Sequence, residues 1–269
     1  MRVLAINDIS CVGKCSLSVT LPIVSACGIT CDVLPTALLS THTGGFEDYT
    51  FLDLTKEMER ILPRWETLGL KFDIIYSGYL GNIAQIQTVN NIVERFLKRD
   101  GLFIVDPVMG DGGKLYAGFT QEFVSEMREL CSRADYILPN VTEAYYLADE
   151  TYGADIGCVF KKLQTVCPRP IVTGLIENTS ISVCYANENG DMQKYSSENV
   201  AGFFHGAGDV FASALVGAVA KGKDEQTAVR LAADFTSAAI RRSANEVADK
   251  RYGLNFEAEI FPFLKALNE

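Results

Sequence analysis

The chain has 269 residues, of which 24 are basic and 34 acidic, so its net charge is −10 at pH 7. This acidic balance argues against a general nucleic-acid or anionic-membrane surface, and any phosphate site must be built locally from backbone N–H groups, a few cations or a metal ion. The length suits one large α/β domain or two small ones and allows about three quarters of the unfolded surface to be buried.

Eight cysteines in a chain of this size are not typical of a disulfide framework. Cys11 with Cys15, and Cys27 with Cys31, are spaced more widely than most zinc-binding pairs, so small buried side chains are their expected role. The N-terminus enters a strand pattern without a signal peptide, and the longest uncharged run, residues 15–31, is too short and polar to span a membrane. A cytoplasmic location is therefore expected, without membrane or nucleic-acid partners.

Apolar runs typical of buried strands alternate with segments of helical periodicity along most of the chain. This alternation predicts an α/β fold, a three-layer sandwich with a mainly parallel sheet between helices, and residues 1–269 are expected to form one domain. Pro63 is expected to end the second helix. Strands are predicted over residues 3–6, 31–35, 72–76, 102–105, 136–138 and 170–174 with a hairpin over 181–195, and helices over 16–26, 52–62, 83–98, 119–131, 155–166, 225–241 and 256–267, with two more that begin near residues 142 and 206.

Polar residues stand at the carboxyl ends of the predicted strands, where open α/β sheets bind ligands. Because parallel strands share one edge, these side chains are expected to face a common crevice. They are Asp8, Ser77, Asp106, Asn140 and Thr173.

A glycine-rich turn, Gly206-Ala207-Gly208-Asp209, leads into an apolar helix. Glycine allows the backbone to approach a ligand closely, and the unpaired N–H groups of a helix N-terminus favour an anion such as phosphate. Asp209 is then either a helix residue that interacts with the dipole or a base that takes a proton during phosphoryl transfer.

Three further segments offer candidate contacts, each with a structural alternative. Lys114 belongs to a glycine-rich loop, residues 108–115, that can fold over a ligand, or it is a solvated loop lysine. His42, in the loop over residues 40–49, can contact a substrate or lie on the surface. Tyr79, flanked by Gly78, can present its ring to a flat ligand or pack in the core.

Acidic groups beside a phosphate site suggest Mg²⁺, which prefers oxygen ligands. Together these features favour a kinase with Asp209 as the base. The sequence contains neither a Walker A pattern nor a Gly-x-Gly-x-x-Gly motif after a strand, so P-loop and Rossmann alternatives are less favoured.

The motifs and their order resemble the ribokinase-like superfamily and, within it, the pyridoxal/pyridoxine/pyridoxamine kinases. The matching segments span nearly the whole chain. They are residues 35–44, Ser77-Gly78-Tyr79-Leu80-Gly81, Asp106-Pro107-Val108-Met109-Gly110, Pro139-Asn140-Val141-Thr142-Glu143 and Gly206-Ala207-Gly208-Asp209.

This resemblance implies a central, mainly parallel sheet of about eight to ten strands between helices. It also implies transfer of the γ-phosphoryl group of ATP to the hydroxymethyl group of vitamin B6 vitamers (pyridoxal, pyridoxine and pyridoxamine) in pyridoxal phosphate salvage. Mg²⁺, a homodimer and possible use of a monovalent cation such as K⁺ belong to the same expectation.

The resemblance also assigns roles to individual residues. Asp209 matches the catalytic base, and Gly206, Ala207 and Gly208 match the anion hole. Asp106 and Glu143 match positions that hold ATP and Mg²⁺, the metal through water, and Asn140 belongs to the same nucleotide motif. Thr173 replaces a phosphate-binding lysine of some members, for which Lys114 can compensate. His42 and Thr43 match the loop that closes over the pyridine ring, and Tyr79 matches a residue near it.

Asp8 departs from the family pattern, because many pyridoxal kinases have serine there. Its carboxylate can accept a hydrogen bond from the ring nitrogen or the phenolic hydroxyl group, which can change vitamer preference.

One alternative is the related hydroxymethylpyrimidine (phosphate) kinase of thiamine synthesis, whose members typically have cysteine at the Asp209 position and a glutamine-asparagine pair where this chain has Thr41 and His42. A sugar or nucleoside kinase is less favoured, because those kinases usually carry an additional lid domain that this length hardly allows. A non-catalytic ligand sensor on the same fold is the alternative of another class.

Overall fold

The computed structural model describes residues 1–246 and 249–269. Within these ranges, strands and helices alternate as expected. The elements are β1 Arg2–Val12, α1 Leu17–Ala26, β2 Thr30–Thr41, β3 Phe51–Asp53, α2 Thr55–Thr67, β4 Phe72–Ser77, α3 Ile83–Phe96, β5 Leu97–Val105, β6 Gly110–Asp111, β7 Lys114–Leu115, α4 Gln121–Ser132, β8 Tyr136–Ile137, α5 Val141–Ala148, α6 Ile156–Val166, β9 Val172–Glu177, β10 Ser180–Ala186, β11 Met192–Glu198, α7 Ala207–Ala220, α8 Glu225–Glu246 and α9 Ile260–Asn268, with short 3₁₀ turns at Lys250–Tyr252 and Glu257–Glu259.

The central sheet has the strand order β3-β2-β1-β4-β5-β8, in which only the β2–β3 pair is antiparallel. Parallel bridges from Ile137 to Pro170 and from Asn140 to Thr173 connect β8 to the antiparallel sheet β9-β10-β11. The six strands and the three strands thus form one continuous arrangement of nine. The expected α/β sandwich with a mainly parallel sheet is confirmed.

Successive residues of β1 enter two different apolar layers, as the period of a strand requires. Val3 and Ala5 pack with helices α1, α7, α8 and α9, whereas Leu4 and Ile6 pack with helices α2 to α6. β1 is therefore buried on both faces, which explains its uninterrupted apolar run.

Several predicted boundaries were wrong, among them the end of β2, which continues to Thr41. The segment predicted as a helix over 52–62 begins with the edge strand β3, and α2 then continues through Pro63 to Thr67. The proline removes one helical hydrogen bond, but burial of Met58 and Leu62 before it and partial burial of Trp65 after it stabilise the helix across this position. The third helix ends at Phe96 instead of Lys98, because β5 begins at Leu97.

The first strand is much longer than predicted. β1 pairs with β4 only as far as Ile6 opposite Ser77, and then continues beside β2 to Val12. Asp8 therefore lies inside the strand and not at its end, two residues beyond the point where β1 separates from β4.

No helix among the described residues has the length and apolar character needed to cross a membrane. All eight cysteines are unpaired thiols. Five of them are buried, but Cys11 and Cys158 are exposed and Cys31 is half-buried, so the expected role as small buried side chains is correct only in part.

Candidate active site

A group of unpaired polar atoms marks the point where β1 and β4 separate. Among the described residues, four buried side-chain nitrogen or oxygen atoms lack a hydrogen-bond partner, and three of them lie here: Asn7 Nδ2, Tyr76 Oη and Ser77 Oγ. Buried polar atoms are normally paired, so this concentration points to a site that receives a ligand.

Asp8 is buried beside this point, with 7% of its surface exposed. Its carboxylate accepts hydrogen bonds from the hydroxyl groups of Ser16 and of Ser10, the latter at 3.3 Å. Burial raises the pKa of Asp8, and the two serine hydroxyl groups partly offset this increase. An acidic acceptor therefore stands within the crevice, in reach of a polar ligand.

Asp209 is the third residue of α7, directly after Gly206, whose φ of 77° begins the helix. Burial raises the pKa of the Asp209 carboxyl group to about 7, and the nearby Asp8 raises it further, whereas the Ser16 N–H group and the Asn7 amide lower it. A carboxyl group with this pKa can exchange a proton near neutral pH. The helix N-terminus supplies unpaired N–H groups beside it.

Glu143 and Asn140 form a capping box at the start of α5. The Glu143 carboxylate accepts hydrogen bonds from the N–H groups of Asn140 at 2.9 Å and Met109 at 3.0 Å, and Asn140 Nδ2 donates to the Gly110 carbonyl at 2.8 Å. These bonds attach the segment after β5 to the beginning of α5.

Asp106 follows β5 and lies close to Glu143 and Asp209. Burial raises the pKa of Asp106, and the two neighbouring carboxyl groups raise it further. Burial likewise raises the pKa of Glu143, despite its backbone hydrogen bonds. Three acidic groups near one another favour protonation or a bound cation.

The donor set suits Mg²⁺ held mainly through water. No three His, Cys, Asp or Glu side chains within the described ranges are grouped closely enough to ligate a metal directly. Both carboxylate oxygens of Glu143 already accept backbone N–H groups. Oxygen donors that leave most ligand positions to water and phosphate are typical of Mg²⁺ sites.

The glycine-rich segment predicted as a loop over residues 108–115 contains a small hairpin of β6 and β7. Gly113 donates its N–H group to Thr142 Oγ1 at 2.9 Å, which holds the hairpin against α5. Lys114 is exposed on this hairpin. Thr173, in β9, is half-buried and donates its N–H group to the Pro139 carbonyl at 2.9 Å.

His42 is buried, with 7% of its surface exposed, and is not on the surface. Its Nδ1 accepts the Gly44 N–H group at 3.1 Å, so Nε2 carries the hydrogen and donates it to the Arg251 carbonyl. Both ring nitrogens are thus engaged by backbone groups, and the ring fixes the loop that contains the exposed Thr43.

Tyr79 lies in the turn after β4, where Thr36 Oγ1 donates to its carbonyl at 2.9 Å. Its ring centroid is 6.1 Å from that of Phe119. Burial raises the pKa of its hydroxyl group to about 12, and the nearby Asp8 contributes to the increase. The ring therefore lies near Phe119 and close enough to Asp8 to be affected by its charge.

The structure brings together Asp8, Asp106, Glu143 and Asp209 from distant parts of the chain, whereas Lys114 and Thr43 remain at its exposed margin. Sequence reasoning missed two residues, Asn7 and Ser16. The polar character of Asn7 directly after an apolar run could have indicated it. Ser16 has a φ of 52° and a ψ of −132°, a conformation that favours glycine, so its residue type gave no signal.

A mainly parallel sheet between helices, with a glycine-rich turn at the start of α7, is the arrangement of the ribokinase-like class, in agreement with the motifs. The sequence profile of the family described as phosphomethylpyrimidine kinase matches residues 24–253. The chain therefore belongs to this family.

Two solved structures are similar over almost their full length. A candidate phosphomethylpyrimidine kinase from Bacteroides thetaiotaomicron, crystallised with pyridoxal, is 36% identical with a TM-score of 0.91, and the match covers 97% of this chain and 95% of that chain. Pyridoxal kinase from Lactobacillus plantarum is 31% identical with a TM-score of 0.93, covering 98% and 96%.

The curated relatives match a smaller part of their length. A candidate pyridoxal kinase of Caenorhabditis elegans is 29% identical over 214 residues, which cover 70% of this chain and 65% of the relative. The match thus spans less than two thirds of that relative.

Proposed function

We propose that the chain is a pyridoxal kinase, which transfers the γ-phosphoryl group of ATP to the hydroxymethyl group of vitamin B6 vitamers and serves pyridoxal phosphate salvage. The observation that carries this proposal is the Asp209 carboxyl group at the N-terminus of α7, whose pKa burial raises to about 7. The similarity to a protein crystallised with pyridoxal supports the choice of substrate.

Asp209 acts as the general base in this proposal. It takes the proton of the vitamer hydroxyl group while the alcohol oxygen forms a bond to the γ-phosphorus and the bond from that phosphorus to the β–γ bridging oxygen breaks, so ADP leaves. The N–H groups of Gly206, Ala207 and Gly208 bind the negatively charged oxygens of the transferred group.

Nucleotide binding is assigned to the edge formed by Asp106, Asn140, Glu143 and Thr173, with Lys114 on the hairpin able to approach the phosphates. Asp106 and Glu143 would hold Mg²⁺ through water, where it would neutralise phosphate charge. Such neutralisation is needed because the residues that surround the crevice are mainly acidic.

The vitamer is assigned to the space between Asp8, Tyr79 and the loop with His42 and Thr43. Asp8 offers the ring a charged acceptor, and Tyr79 offers it an aromatic neighbour. His42 contributes by holding the loop, because both of its ring nitrogens are already bonded.

Hydroxymethylpyrimidine (phosphate) kinase is the second candidate, favoured by the name of the matching family. A parallel assay with ATP and Mg²⁺ on pyridoxal, pyridoxine, pyridoxamine and hydroxymethylpyrimidine tests both. Turnover of the vitamers supports the proposal, exclusive use of the pyrimidine refutes it, and binding without turnover of any of them would indicate a sensor.

The proposal also includes a single domain over residues 1–269, a homodimer and a cytoplasmic location, with a possible requirement for K⁺. The eight unpaired cysteines suit a reducing compartment. Sedimentation measurements test the dimer, and turnover with K⁺ replaced by a large organic cation tests the ion requirement.

A further inference from the structure

We infer that Asn7 is a positioning residue whose Nδ2 hydrogen bonds to Asp209 and directs the carboxylate toward the reacting hydroxyl group. This inference rests on the proposed role of Asp209 as the base. Three independent features of Asn7 support it: its fixed orientation, its unpaired nitrogen and the space that Gly78 leaves for that nitrogen.

The orientation of the Asn7 amide is determined by two backbone donors. Oδ1 accepts the N–H group of Tyr79 at 2.9 Å and the N–H group of Asp8 at 3.0 Å. A flipped amide would face both donors with its own NH₂ group, so the assignment of oxygen and nitrogen is secure. One side chain thus connects β1 to the turn after β4, and Nδ2 must point away from both.

Asn7 is only 1% exposed, so water cannot readily reach its side chain. Nδ2 nevertheless has no hydrogen-bond partner. Gly78 provides its space, since a Cβ at that position would collide with Nδ2. A buried NH₂ group without a partner is unfavourable unless another state of the protein uses it. In the inferred arrangement, the Asp209 carboxylate accepts this hydrogen bond.

Asp209 is the nearby acceptor in need of a donor. Asn7 and the Ser16 N–H group are the contacts that lower the pKa of Asp209. Asp8 raises the pKa of Asp209, and the charge of Asp209 raises the pKa of each other titratable group that faces it: Cys15 near β1, Tyr76 on β4, Asp106 after β5 and Tyr116 after β7. The Asn7 amide thus counteracts an otherwise acidic environment.

The Asn7→Asp variant separates the two ends of the amide. The ionised form of the new side chain keeps acceptors for the Tyr79 and Asp8 N–H groups but lacks the donor, so the kinetics are measured up to about pH 9, where this form is favoured. We expect kcat to fall by about 10²-fold, because the base is less ionised and less well aligned, while KM for ATP and vitamer changes by less than about threefold. A kcat within about twofold of the wild type would overturn the inference.

Gln85→Glu is the matched control. Gln85 is also a fully buried amide, which accepts the Gly81 N–H group at 2.8 Å and donates to the Thr36 carbonyl at 2.9 Å. It lies on α3 and is not among the groups that affect the pKa of Asp209. This variant should lose thermal stability and retain kcat. An equal loss of kcat in both variants would show that Asn7 acts only through the fold.

A spectroscopic measurement tests the contact without depending on turnover or on the folding of Asn7→Asp. In ¹⁵N-labelled protein, the side-chain NH₂ signals of Asn7 should shift when Asp209 is replaced by Asn, whereas those of Gln85 should not. Unchanged Asn7 signals would overturn the inference. If the wild type phosphorylates none of the vitamers, the proposed function fails, and the signals still decide whether Asn7 contacts Asp209.

Discussion

The carbonyl oxygen of Lys14 occupies the space that a Cβ atom at Gly206 would need. Gly206 also has a φ of 77°, which L side chains rarely adopt. Gly206→Ala should therefore reduce the free energy of unfolding for two reasons. The backbone conformation should cost about 1–2 kcal/mol, and the collision should cost another ~1–3 kcal/mol. Because the turn must move, phosphoryl transfer should also be impaired.

Gly222→Ala is the control for that change. Gly222 has a φ of 78°, but nothing lies within 4 Å of the position that a Cβ atom would take there, so only the conformational cost applies. Urea denaturation and kinetics of both variants separate the two costs. Equal losses of stability would contradict the steric role of the Lys14 carbonyl.

Asp209→Asn tests the base directly. Asparagine keeps the shape of the side chain at the third position of α7, so the fold and ATP binding should persist. The kcat value should fall by about 10² to 10⁴-fold, because the amide cannot accept the proton. Steady-state kinetics and calorimetric ATP titration measure the two effects. A variant with near-normal kcat would exclude Asp209 from the mechanism.

The raised pKa of the half-buried Asp209 predicts a pH dependence of stability without nucleotide. The pKa of Asp209 rises from 3.8 to about 7 on folding, so the folded protein binds more protons than the unfolded chain between these values. The free energy of unfolding should therefore decrease as pH rises from about 4 to 7. Urea denaturation across this range should show a smaller decrease for Asp209→Asn than for the wild type.

Asp73→Asn provides the opposite case for that measurement. Lys98 lowers the pKa of Asp73, so the Asp73 carboxylate stabilises the folded protein at neutral pH and loses this effect only in acid. Between about pH 5 and 7 its contribution to stability is therefore constant. This variant should keep the wild-type slope in that range. If it flattens the slope as Asp209→Asn does, burial of Asp209 is not the cause.

Asp8→Asn tests vitamer recognition. Loss of the negative charge should raise KM for the vitamers by about tenfold, because hydrogen bonds to charged groups are the stronger ones, and should leave KM for ATP unchanged. Kinetics with pyridoxal, pyridoxine and pyridoxamine reveal which ring group is recognised. Ser10→Ala, which removes only the 3.3 Å bond to Asp8, should have a smaller effect. Identical constants for Asp8→Asn and the wild type would place the ring elsewhere.

The sequence was sufficient for features that depend on local patterns. Strand and helix alternation predicted the layered sheet, and the Gly206 turn was correctly placed at the start of a helix. Pro63 misled the prediction because tertiary burial of Met58 and Leu62 outweighs one missing hydrogen bond. The length of β1 was missed because its polar second half is paired only with β2, which the apolar pattern does not reveal.

Within the candidate site, residue types identified the acidic groups but not their connections. The role of Ser16 depends on a backbone conformation that serine seldom adopts, and the bonds of His42 depend on Gly44 and on Arg251, far along the chain. Such long-range backbone contacts have no periodic signature in one sequence.

The segment around Arg251 to Gly253 has a consequence for biosynthesis. Tyr252 accepts the Lys14 N–H group at 3.0 Å, and Arg251 accepts the hydrogen bond from His42. A nascent polypeptide can therefore complete its central strands well before the loops around His42 and Lys14 acquire their supports. Chains that stop before residue 251 should therefore lack the supports of both loops and remain inactive.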